Sequence, residues 1–245
     1  MTVMSYRVLG HEMQYVEIEL APGQAAIAEA GTMLYKDAAV SLSTMLGDGS
    51  PQESGVMGKL MGAGKRMLTG ATAFTTVFSN DGAAAAAKVA FAAPTPGNIL
   101  AIDLAGHGGQ LVCQKDSFLA AAKGVHISMF FQRKIMAGLF GGDGFVMQKL
   151  EGDGMVFVHI GGAMVERDLA AGEEIQVDSG CVAAFAPGVG FDIKPVGGIK
   201  SAMFGGEGLF FAHLSGPGKV WLQSLPFSRL VARMQAAETK KNGKD

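Results

Sequence analysis

The chain has 245 residues, 49% of them hydrophobic and 17% charged, with 36 glycines and a formal net charge of −2. That length and apolar content can fill a sizeable core, and the slight acidity argues against bulk attraction to nucleic acid or anionic lipid. No run approaches the roughly 20 apolar residues of a membrane helix, and the opening residues lack the basic-then-apolar order of a secretory leader, so the expected setting is cytoplasmic.

Strand patterns dominate from the start. In YVEIEL, Val16, Ile18 and Leu20 alternate with Glu17 and Glu19, the period of a half-buried strand. Pro22-Gly23 then turns the chain. A faint copy of a later repeat follows, in AEAGTMLY ending at Tyr35 and TGATAFTTVFSNDG ending at Gly82. Between them, Gly47 to Ser54 reads as a loop and residues 54–68 as a short helix with Val56, Leu60, Met61 and Met67 towards the core.

The strongest signal is a passage written twice. FGGDGFVMQKLEGDGMVFVHI begins at Phe140, and FGGEGLFFAHLSGPGKVWLQSL begins at Phe204, 64 residues later. Each joins a Gly-Gly-acid-Gly turn, an apolar run, a G-x-G turn and an alternating stretch, which predicts equivalent antiparallel hairpins over 140–162 and 204–226. The likeness extends upstream, to Ser117–Ala121 and Ser179–Ala184. EEIQVDS supplies another alternating strand, with Ile175 and Val177 on one face.

A helix is expected over 226–239. Pro226 suits a first turn, Ser224 could cap it, and Phe227, Leu230, Val231 and Met234 form one apolar stripe with Arg229 and Arg233 off it. After Ala237 the polar tail is expected to fray. The fold expectation is therefore all-β: repeated hairpin units in a closed sandwich or barrel-like core, with short helices near 54–68 and at the C-terminus. A single domain would span 1–245, in units 5–106, 107–169 and 170–226.

No constellation for chemistry emerges. In GKLMGAGKRM, Lys59 stands where a phosphate loop needs its first Gly, and Arg66 where it needs a hydroxyl. Asp143, Asp153 and Glu207 offer one acid per glycine turn, too few oxygens for calcium. His11, His107, His126, His159 and His213 are scattered, and the 64-residue offset carries His213 onto Lys149, so the repeat builds no metal site from His159 and His213. Cys113 and Cys181 read as buried thiols. Phe130, Phe131, Phe210, Phe211 and Trp221 lack basic interleaving and read as core, as do most of the 15 methionines. No catalytic, cofactor-binding or metal-ligating residue is assigned.

The succession GKRMLTGATAF, PGNILAIDL, SFLAAAKGVHIS, GGDGFVMQKLEGDGMVFVHIGG, AAGEEIQVDSGCVAAF and GEGLFFAHLSGPGKVWLQSLP resembles the altered-inheritance-of-mitochondria 24-like family across most of the chain. The resemblance implies a β-rich fold likened to the tryptophan RNA-binding attenuation protein, and a homo-oligomer with a trimer as first expectation. Together these readings favour a non-enzymatic, self-associating binding or scaffold protein. A small-molecule or RNA-binding module, or an enzyme with a site drawn from distant strands, are the alternatives.

Overall fold

The computed structural model describes residues 4–46, 74–82, 85–93, 95–133, 144–195 and 210–242. The expected loop and helix between Gly47 and Leu68 lie outside them, as do the turn acids Asp143 and Glu207. After β1 (Ser5–Leu9), the strands fall into three sets of six. The first set is β2 (Tyr15–Leu20), β3 (Ala25–Ala28), β4 (Met33–Lys36), β5 (Ser41–Leu46), β6 (Phe74–Ser79) and β7 (Ala87–Ala92). The second is β8 (Gly97–Asp103), β9 (Gln110–Gln114), β10 (Phe118–Ala122), β11 (His126–Arg133), β12 (Phe145–Glu151) and β13 (Met155–Gly161). The third is β14 (Met164–Leu169), β15 (Glu174–Asp178), β16 (Val182–Phe185), β17 (Gly190–Pro195), β18 (Phe210–Ser215) and β19 (Gly218–Gln223), followed by helix α1 (Phe227–Asn242).

One pairing rule governs every set. The sixth strand pairs with the first and third, and the fifth pairs with the second and fourth, all antiparallel. The register slips at the same place in each third strand, between Met33 and Tyr35, Phe118 and Ala120, and Val182 and Ala184. That shared bulge aligns Tyr35 with Ala120 and Ala184. The faint N-terminal copy is thus a full structural repeat, with sets at 15–92, 97–161 and 164–223. Pairing gives β8 to the second set and β14 to the third, on the other side of the unit boundaries drawn at 106/107 and 169/170.

The expected hairpins are not hairpins. β12 pairs with β9 and β11 while β13 pairs with β8 and β10, and β18 and β19 divide in the same way. Each G-x-G turn is a corner where the chain leaves one sheet for the next. The glycine is needed for room as much as for bend. A Cβ at Gly154 would stand 2.8 Å from Ala122 Cβ, and one at Gly218 2.8 Å from Val189 Cγ2.

Because each set divides its strands between two sheets, neighbouring sets share sheets, and about 60% of the described residues are strand. The order is β1-β2-β7-β4, then β5-β6-β3-β10-β13-β8, then β11-β12-β9-β16-β19-β14, then β15-β18-β17. No closed barrel forms among the described residues. Three apolar cores lie between successive sheets, centred on Phe91 and Phe157, on Leu150 and Trp221, and on Met147 and Phe185. Inner strands such as β13 are buried on both faces, so Val156 to Ile160 lose the alternation that marks a half-exposed strand.

Helix α1 starts and ends later than expected. Ser224 is no cap, since its hydroxyl accepts from the Ala163 amide at 2.8 Å. The helix runs on to Asn242 through the stretch expected to fray. Phe227 and Met234 on its apolar stripe are exposed. Arg229, placed off that stripe, donates to Asp178 at 2.9 Å and ties the helix to the end of β15.

Candidate functional site

Two junctions between sets are closed by backbone pairing. β3 pairs with β10 through Ala28 opposite Ala120 and Ile27 opposite Ala121. β9 pairs with β16 through Cys113 opposite Ala184 and Val112 opposite Phe185. In both, a second strand of one set meets the third strand of the next. Among the described residues the remaining third strand, β4, and the remaining second strand, β15, have no such partner and edge their sheets. Met33, Leu34 and Tyr35 on β4 are 42%, 53% and 39% exposed, whereas Phe118, Ala120, Val182 and Ala184 at the equivalent positions are 0–5% exposed. An apolar, unpaired edge is a feature that proteins ordinarily shield.

A polar cluster abuts the β4 edge. Glu17 points to the outer face as its alternation predicts, yet it is buried. The Tyr35 hydroxyl donates to Glu17 Oε2, and Arg7 and Lys88 pair with Oε1 at 2.5 and 3.1 Å. These partners, Tyr35 first, hold the carboxyl at about 2, and the Tyr35 hydroxyl is pushed up to about 12. Glu166 occupies the same place in the third set, opposite Trp221 as Glu17 is opposite Ala90, and it takes Lys219 and the Trp221 indole N–H at 2.5 and 2.7 Å. A depressed carboxyl pKa stabilises the fold above the ordinary value near 4.5 and ceases to do so as pH falls toward 2. Glu17→Gln should therefore be less stable than the unaltered protein at pH 7. The two denaturation midpoints should converge between about pH 4.5 and 2; a gap that stays constant would contradict this.

The second feature is a cavity of about 230 Å³ that reaches both closed junctions, lined by Glu29, Thr32, Thr95, Lys115 to Leu119, His159 and Phe227 on the first and by Gln114 and Gln223 of the second. The second junction explains why it is there. Gln223 donates from Nε2 to Gln114 Oε1 and the Gly180 carbonyl, both at 2.9 Å, and its Oε1 accepts from the Gly161 amide at 3.0 Å. Strand pairing puts His159 at the position of Gln223 and Glu29 at that of Gln114. His159 is buried and bonded to the Thr95 main chain, but its Nε2 has no partner. Burial lowers its pKa, which keeps the ring neutral at pH 7. Burial also raises the Glu29 carboxyl, with Lys115 opposing and Asp116 reinforcing the shift.

The other residues of interest stand apart. His11 is exposed, while His107, His126 and His213 are partly buried on separate elements. Among the described residues no three His, Cys, Asp or Glu side chains are grouped to hold a metal ion. Cys113 is fully buried, its thiol pushed up to about 12, and Cys181 is partly buried. Trp221 belongs to the core as expected, but Phe130 is exposed and meets Phe185 edge-on at 5.7 Å. Among the described residues the methionines divide: Met4 and Met147 are buried and Met155 packs against a core, while Met13, Met33, Met129, Met164 and Met234 are exposed. No helix among the described residues is long and apolar enough to cross a membrane.

Residues 6–225 match the family described as Mitochondrial biogenesis AIM24. An uncharacterized protein of Streptococcus pyogenes serotype M6 is 31% identical over 233 residues, covering 93% of this chain and 88% of that protein. The crystal structure of another Streptococcus pyogenes protein superposes with a TM-score of 0.75 at 23% identity, over 96% of this chain and 99% of that one, a likeness of fold.

Proposed function

The chain belongs to the AIM24 family, and we propose that it is a non-enzymatic, self-associating binding or scaffold protein that closes head to tail through β4 and β15. The observation behind this reading is the missing third junction. A second copy supplies the partner each edge lacks, since β15 of one copy is to β4 of the next as β9 is to β16. The register carries over: Tyr35 falls opposite Val177, and Lys36 opposite Gln176. Such a contact is heterologous, so it propagates until a ring closes. Closure of the sheets, absent among the described residues of one chain, would then come from assembly. Three copies is the first expectation, taken from the family resemblance.

The cavity supports a small-molecule-binding role as the second reading, ahead of RNA, which the net charge of −2 disfavours. The Cys113 and Cys181 thiols fit a cytoplasmic setting, to be checked by fractionation. Light scattering behind size exclusion tests the main reading: a mass of three chains is expected at micromolar concentration, and a monomer of 25.3 kDa would refute it.

A further inference from the structure

Each set begins with a strand at the margin of its sheet, and the three margins are finished differently. β2 carries β1, paired antiparallel with Ser5 opposite Glu19, Arg7 opposite Glu17 and Leu9 opposite Tyr15. β8 is bonded at its start by the link between β1 and β2. The Gly97 amide donates to the Glu12 carbonyl at 2.8 Å, the Gln14 amide to the Gly97 carbonyl at 3.1 Å, and the Ile99 amide to Gln14 Oε1 at 2.7 Å. Among the described residues nothing pairs with the outer edge of β14. The side chains register the difference. Val16 is fully buried with Val8 opposite it, whereas Val165 at the same place is 46% exposed. The Glu17 side chain is 9% exposed and that of Glu166 45%. Lys88 and Lys219 hold equivalent positions and each reaches Oε1 of its glutamate, but Oε1 of Glu17 takes Arg7 as well. A carboxylate oxygen has two lone pairs, so Glu166 Oε1 has room for a second donor where Arg7 stands in the first set.

We propose that β14 is a strand-addition site: an extended segment of a partner protein, with an arginine between apolar residues, pairs antiparallel along its outer edge and sets that arginine opposite Glu166. Charges such as Glu166, Arg167 and Asp168 ordinarily guard an edge against indiscriminate pairing. β2 shows how such a guard admits a chosen strand. It bears Glu17 and Glu19 yet accepts β1, because Arg7 answers Glu17 while Tyr6 and Val8 lie over the core, Tyr6 edge-on to Phe157 at 5.1 Å. Main-chain bonds hold the added strand and alternate side chains select it. The register of β1 carried to β14 puts an apolar residue opposite Met164, another opposite Val165 and the arginine opposite Glu166. A second copy is the poorer occupant. Its β1 is already held on its own β2, and β14 against β14 centred on Glu166 sets carboxylate opposite carboxylate. The edge lies apart from β4 and β15, so the site does not depend on self-association.

The probe is a capped synthetic peptide with the sequence of residues 4–10, MSYRVLG, titrated by calorimetry into the full-length protein at pH 7. It is expected to bind with a Kd of about 1 mM or tighter, and the peptide carrying Arg7→Gln about fivefold or more weakly. That comparison leaves the protein unaltered and so does not depend on how a variant folds. Glu166→Gln in the protein should weaken the first peptide to a similar degree and leave the second unchanged, the mark of a direct pair. In ¹⁵N spectra the Met164, Glu166 and Asp168 amides, which face away from β19, should shift on addition of the peptide. No binding at about 5 mM peptide, equal binding of the two peptides, or an equal loss for both on Glu166→Gln would each overturn the proposal. Shifts confined to β2 would mean displacement of β1 and overturn it too. A change in oligomer mass caused by Glu166→Gln would assign the edge to a second copy, with the same result.

Discussion

Met33→Lys combined with Leu34→Lys is expected to leave the protein a monomer of 25.3 kDa at concentrations where the unaltered chain is assembled. Both side chains are exposed in the single chain, so folding should change little. In the proposed assembly they would occupy positions like those of Phe118 and Leu119, which are buried where β10 pairs with β3. Lysine on an edge strand is a common natural guard against pairing. Burying an uncompensated ammonium costs several kcal/mol, so association should weaken roughly a hundredfold or more. Every contact in a head-to-tail ring uses β4 of one copy, so altering this one edge removes all of them.

Trp221→Ala is expected to be the most damaging single change within the chain, costing about 3–5 kcal/mol. The indole is 2% exposed in the central core, and its N–H donates to Glu166 at 2.7 Å. Its strand, β19, joins β14 to β16, so a void beside it loosens the third set where that set meets the second. Trp221→Phe keeps most of the apolar volume and should cost less, because Glu166 retains Lys219. Chemical denaturation at fixed protein concentration measures both. Equal midpoints for the two variants would show that the indole bond, rather than packing, is the larger contribution.

The strand content and repeat were legible because apolar alternation and turn glycines are local. Val16, Ile18 and Leu20 face the core as their spacing predicts. Which strands pair is not local, and there the reading failed. The G-x-G turns at Gly152 and Gly216 look like hairpin turns because both flanking stretches are strands, but alternation assigns a face and names no partner. The 64-residue offset also carries His159 onto Gln223, a mismatch visible in the sequence that marks the cavity. Its meaning depends on Glu29 and Gln114, which are equivalent only once strands are paired. The equivalence of Glu17 and Glu166 escaped notice for the same reason, since the long stretch between β5 and β6 breaks any fixed spacing in the first set. Composition does not say which edge lacks a neighbour, so the exposure of Met33 on β4 was not legible.

The central claim is that β4 and β15 are complementary halves of one missing junction, and mixing two blocked variants tests it most directly. The first is Met33→Lys/Leu34→Lys, with β4 blocked and β15 intact. The second is Glu174→Lys/Gln176→Lys, with β4 intact and β15 carrying new ammonium groups at two exposed positions, one of them opposite Lys36 of a neighbouring copy. Like charges directly opposite on paired strands repel. Each variant alone should run as a monomer, and an equal mixture should give a complex of two chains and nothing larger, since only one compatible pair of edges remains. A mixture that stays monomeric, or either variant assembling alone like the unaltered protein, would contradict the account.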